Sequence, residues 1–103
     1  VPLMAIGGIG VISVWSNIAP KDVHDMCMAF FNGDVKKAAE IQLKAQPLIQ
    51  ALFSEVNPIP VKKALNLMGM DVGTLRSPLT EMTEANAAKL AEAMKEYGLK
   101  LAE

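Results

Sequence analysis

The chain has a single cysteine and a single histidine, and those two scarcities remove most disulfide and metal chemistry at the outset. A lone Cys27 builds no internal disulfide framework, which suits a reducing cytoplasm. His24 and Cys27 stand three apart on what reads as a helix, but a structural zinc site takes four ligands and a catalytic one about three plus water. The pair is too small for a metal. Cys27 is better explained as a small core hydrophobe and His24 as a solvated helix residue. Neither sign of charge is in excess: ten basic and eleven acidic residues interleave to a net charge of -1. That leaves no basic stripe for nucleic acid and no polybasic patch for a membrane surface. Apolar runs are broken by Gly, Pro or charge well short of the roughly 20 residues that cross a bilayer.

Several motifs are also missing. The opening Val1-Pro2-Leu3-Met4-Ala5-Ile6 has no basic start, no cleavage site and no initiating Met, so it is expected to be an internal stretch of a larger frame rather than a signal peptide. No phosphate-cradling glycine loop with a following Lys-Ser/Thr occurs, and no Ser, His and Asp spacing suggests a triad. Gly7-Gly8-Ile9-Gly10 precedes an expected strand, whereas a dinucleotide fingerprint follows one. Lys36-Lys37 and Lys62-Lys63 read as solvated pairs, since a Schiff-base lysine needs desolvation or a neighbouring charge to lower its pKa. Asp22, Asp25, Asp34, Glu84 and Asn86 fall near helix starts, where the dipole or capping accounts for them.

What is present is apolar and mostly helical. Half of the 103 residues are hydrophobic (51%), enough for one packed core. Val11 to Trp15 reads as the one strand, β-branched or aromatic at most positions and apolar on both faces apart from Ser13, the pattern of a strand buried in a parallel sheet. It needs partner strands that the chain does not contain. Pro20 opens a helix carrying Val23, Met26, Cys27 and Phe30, which Gly33 ends. Asp34 caps the next helix, whose stripe runs Val35, Ala38, Ile41, Ala45, Leu48, Ile49 and Leu52, with a kink expected at Pro47. Asn57-Pro58-Ile59-Pro60 is a rigid turn leading into a short helix with Val61, Ala64, Leu65 and Met68 on one face. Leu75 to Leu79 is expected to be extended. Thr83 caps a last helix that buries Ala87, Leu90, Ala91, Met94 and Tyr97 and ends near Gly98. The seven methionines read as core filler. The chain divides near Gly33, into residues 1–33 and 34–103.

Gly10-Val11-Ile12-Ser13-Val14, with the following Asn17 and Pro20, then Asn57-Pro58-Ile59-Pro60-Val61-Lys62 and Leu75-Arg76-Ser77-Pro78-Leu79, resemble the carboxy-terminal part of dihydrodipicolinate synthases. The resemblance runs over the whole chain. It implies the last portion of a (β/α)8 TIM barrel in residues 1–33, with one parallel strand and the last barrel helix, and an appended helical region in residues 34–103. It implies a parent enzyme in lysine biosynthesis that joins pyruvate, held as a Schiff base on a lysine, to aspartate semialdehyde. The catalytic lysine and the proton-relaying Tyr and Thr groups of that family lie in earlier barrel strands, so this chain alone is expected to be inactive, with no cofactor and no metal. Ile12 is similar to the residue that lines the pyruvate pocket with an apolar wall and a backbone carbonyl. Asn57 matches the Asn near the mouth of the cavity. Ile6 lies in the helix that contributes to subunit contacts in the family's homotetramer. Trp15 departs from the pattern, which carries a small residue such as Thr there, and bears on substrate choice. Sister aldolases acting on sialic acid or sugar-derived keto acids match the proline-turn motif less well. A free-standing helical interaction module is the reading from another class.

Overall fold

The computed structural model describes residues 1–101. They form five helices, α1 (Pro2–Ala5), α2 (Pro20–Phe31), α3 (Val35–Leu52), α4 (Ile59–Leu67) and α5 (Glu84–Tyr97), with a 3-10 turn at Trp15–Asn17. The chain separates into two compact units, one ending at Gln46 and the other starting at Pro47.

In the first unit, α1 is closed by two glycines. Gly7 has φ 109°, a region that L side chains avoid, and its N–H donates to Met4 O at 3.1 Å. Gly8 N–H donates to Leu3 O at 2.8 Å, and a Cβ at Gly8 would stand 2.8 Å from that same oxygen. Pro20 occupies the first turn of α2, where its missing N–H costs no helical bond. The 3-10 turn packs on α2, and Trp15, 4% exposed, is buried with Ile18, Val23 and Met26. Asp34 caps α3 as its sequence position predicts, its Oδ1 accepting the Lys37 N–H at 3.1 Å.

The strand expected at Val11–Trp15 is not formed. Among the described residues no segment is a β-strand: residues 8–13 carry no regular structure and Trp15 has turned into the 3-10 turn. The physical reason is that a strand exists through its ladder, and high β-propensity in one segment cannot substitute for a hydrogen-bonded neighbour.

Pro47 lies inside α3, which continues to Leu52. Its ring removes one helical N–H, and the boundary between the compact units falls at this residue. Ala38, Ala45, Leu48 and Leu52, four of the expected stripe, are buried.

In the second unit, α4 packs on α5. Val61 and Ala64 are buried from α4, and Leu90, Met94 and Tyr97 from α5. Ile59 is the first residue of α4 despite preceding Pro60, a position that proline usually pushes toward extended geometry. The Asn57–Pro58 and Ser77–Pro78 bonds are cis. Instead of running extended, residues 76–79 close a turn, with Leu79 N–H donating to Arg76 O at 2.9 Å. Thr83 is the N-cap of α5, its hydroxyl accepting the Asn86 N–H. Gly98, at φ 106°, ends the helix in the left-handed region while its N–H and that of Leu99 return to Met94 O.

Candidate functional site

Ile12 sits on the irregular segment that follows the α1 turn and is fully exposed. With Leu3, Ile9, Gly10 and Val11 it lines an open apolar depression of about 470 Å³. Such a surface offers no group that can donate, accept or transfer a proton through a side chain. What it offers is an apolar wall on a segment without regular structure. Ile6, in the turn closing α1, is also exposed.

Asn57 belongs to the second unit, at an exposed turn. Val56 O accepts the Ile59 N–H at 2.9 Å, so Asn57 and Pro58 are the two central residues of that turn. Pro58 O then accepts the Lys62 N–H at 3.0 Å and opens α4. On the chain side of the turn, Glu55 extends its carboxylate to the start of α5. One oxygen, Oε2, accepts from Thr83 N at 3.1 Å, Thr83 Oγ1 at 3.1 Å and Asn86 Nδ2 at 2.9 Å. The Asn86 bond, followed by the two from Thr83 and only partly opposed by desolvation, lowers the Glu55 pKa from its ordinary value.

Lys62, expected to be solvated, makes an exposed side-chain bond to the loop that follows α4. Its amine donates to Thr74 O at 2.7 Å. Asn66, one turn further along α4, donates through Nδ2 to Gly73 O at 3.2 Å and accepts Val72 N–H at 3.1 Å. Together they hold the 72–74 loop on α4.

In the first unit a second open depression, of about 410 Å³, is lined by Lys21, Asp25, Met28, Ala29, Asn32, Asp34 and Lys37. Its charges are mixed, and Lys21 Nζ pairs with Asp25 one helical turn on, at 2.6 Å. The bond to Lys21 lowers the Asp25 pKa, and its counterpart raises that of Lys21. His24 is exposed and Cys27 half-buried. Among the described residues no group of three or more His, Cys, Asp or Glu side chains is placed to hold a metal. None of the described residues is a polar or charged residue buried in the core, and among them no helix is long and apolar enough to cross a membrane.

Residues 1–97 match the family model of the dihydrodipicolinate synthetase family. The chain belongs to this family. It is 62% identical over 99 residues to the 4-hydroxy-tetrahydrodipicolinate synthase of Lachnoclostridium phytofermentans, a match covering 96% of this chain and 34% of that protein. Its fold is similar to that of dihydrodipicolinate synthase from Aquifex aeolicus, with a TM-score of 0.94 and 44% identity over 99% of this chain and 35% of the other. The enzyme from Acinetobacter baumannii, solved in complex with pyruvate, matches at a TM-score of 0.89 and 41% identity, over 96% of this chain and 34% of the other. The chain therefore spans about a third of the length of the curated relatives it matches.

In this chain, the two residues that the sequence motifs single out, Ile12 and Asn57, lie in different compact units. The Glu55 contacts went unnoticed in the sequence because their partners lie 28 and 31 residues away. The Thr83 cap was the one local signal pointing to that place. The Lys62 contact follows no short-range pattern either, since its acceptor is twelve residues on.

Proposed function

We propose that this chain is the carboxy-terminal portion of a 4-hydroxy-tetrahydrodipicolinate synthase, a pyruvate-dependent lyase of lysine and diaminopimelate biosynthesis in the cytoplasm. The observation that carries the proposal is the 62% identity maintained over 99 residues with a synthase of that name. In this reading residues 1–33 complete a TIM barrel and residues 34–103 form a helical region appended to it.

The chemistry assigned to the parent is condensation. A lysine amine outside residues 1–103 adds to the pyruvate carbonyl and loses water to form a Schiff base. Loss of a methyl proton gives the enamine, whose carbon attacks the aldehyde of aspartate semialdehyde; the α-amino group of that substrate then adds to the Schiff-base carbon, closing the ring and displacing the lysine amine. Ile12 contributes an apolar wall and a main-chain carbonyl to the pyruvate pocket, and its full exposure here supports a surface that other parts of the parent cover. Asn57 stands at the mouth of the cavity, supported by its place at the exposed tip of a turn. Ile6, also exposed, contributes to a subunit contact in a homotetramer. The buried position of Trp15 supports a gap-filling role for that ring and leaves the substrate choice to other groups.

The 103-residue chain by itself is inactive in this account. The test is a steady-state assay of the longer protein that carries this sequence, with pyruvate and either aspartate semialdehyde or sugar-derived keto-acid chemistry. Turnover with aspartate semialdehyde is expected, and turnover confined to sialic acid or keto-sugar acids would overturn the assignment. An Asn57→Ala variant should lose kcat/KM for aspartate semialdehyde, and an unchanged value would remove Asn57 from the site.

A further inference from the structure

Helix α5 has an N-cap of its own, since Thr83 Oγ1 accepts the Asn86 N–H. A complete capping box needs a second, reciprocal bond in which a Glu or Gln at the third helical position accepts the backbone N–H of the cap residue. Here that position is Asn86, and its side chain is instead a donor to Glu55. The backbone N–H of Thr83 goes to Glu55 as well. A carboxylate 28 residues earlier in the chain thus fills the place of the missing glutamate.

A cap supplied from so far away does something a local one cannot, because it fixes the segment from which it comes. Glu55 immediately precedes the Val56–Ile59 turn. Two residues of chain reach at most about 7 Å, so anchoring Glu55 confines Asn57. The other side of the turn is held through Pro58 O and the Lys62 N–H at the start of α4, and α4 packs on α5. Both sides of the Asn57–Pro58 turn therefore refer to one helix. We infer that Glu55 is a positioning residue that completes the capping of α5 and, through that contact, holds Asn57 in place. The functional half of this inference rests on the reading that Asn57 belongs to the substrate site.

Amide exchange separates the latch from a simple cap. In Glu55→Ala the Thr83 amide loses its acceptor, and the Ile59 amide, which reports closure of the Asn57 turn, should exchange about ten-fold faster with it, while the Leu99 amide at the far end of α5 stays protected. Faster exchange at Thr83 with Ile59 unchanged would reduce Glu55 to a cap and overturn the inference. Should Leu99 also lose protection in Glu55→Ala, Glu55→Gln decides the point. The amide keeps the volume and one acceptor oxygen, so protection at Thr83 and Ile59 should recover together, and an Ile59 still accelerated beside a protected Thr83 would overturn the latch.

Kinetics of the active, longer protein test the functional half. Glu55→Ala should lower kcat/KM, and the loss should vanish in an Asn57→Ala background. Equal losses in both backgrounds would show that Glu55 does not act through Asn57. An Asn57→Ala variant with undiminished kcat/KM would instead sink the reading of Asn57, and Ile59 exchange would still decide whether the latch exists.

Discussion

The Lys62 amine and the Asn66 amide occupy successive turns of α4 and reach the same loop, at Thr74 O and at Gly73 O with Val72 N–H. Asn66→Ala removes a donor and an acceptor at once, so the Val72 amide should exchange about ten-fold faster while α4 keeps its protection. Unchanged exchange at Val72 would mean that the loop is held by something else. At the core, Leu90 is fully buried, and Leu90→Ala should cost about 2–5 kcal/mol in denaturant unfolding. A loss under about 1 kcal/mol would contradict its packing. Glu55 carries a pH dependence whose sign follows from its lowered pKa. Its bonds to Thr83 and Asn86 add stability above the ordinary carboxylate range, and that contribution is lost as pH falls through the lowered folded value. The difference in melting temperature between the protein and Glu55→Gln should therefore be present at neutral pH and close on acidification. A difference that widened in acid would contradict this.

Helices were the legible elements, because their signals are local. Pro20 at the first turn of α2, Asp34 and Thr83 as caps, and Gly33 and Gly98 as ends are each decided within a few residues. Thr83→Ala should accordingly lower stability by about 1 kcal/mol. A Gly98→Ala variant, forced into φ 106°, should cost about 1 kcal/mol as well. The strand was misread for the opposite reason. Val11, Ile12 and Val14 have the composition of a strand, but pairing is decided by neighbours outside the local window, and the described residues include none. The 76–79 segment departs from expectation similarly: Leu75 to Leu79 reads as extended, while the bond from Leu79 N–H to Arg76 O closes 76–79 into a turn. Glu55 marks the limit of local reading, since nothing in its surroundings names Thr83 or Asn86 as partners.

At the scale of the whole molecule, the candidate site was legible as motif and not as geometry. Gly10-Val11-Ile12-Ser13-Val14 and Asn57-Pro58-Ile59-Pro60 point to the dihydrodipicolinate synthetase family, and the match over residues 1–97 bears that out. The chain spans only about a third of its relatives' length, so the surroundings proposed for those residues lie outside it. Leu3, Ile6, Ile9 and Ile12 are all exposed and apolar, so the isolated chain should self-associate with rising concentration in sedimentation velocity, and an Ile12→Lys change should weaken that association. A concentration-independent monomer would contradict it. We propose that these residues complete a pyruvate-dependent enzyme whose reactive lysine lies outside residues 1–103. Borohydride reduction in the presence of pyruvate, followed by intact-mass measurement, tests this directly on the 103-residue chain beside the longer protein that carries it. The predicted result is a trapped pyruvyl adduct on the longer protein and none on this chain. A saturable adduct on this chain, at Lys62 or any other lysine, would contradict the account.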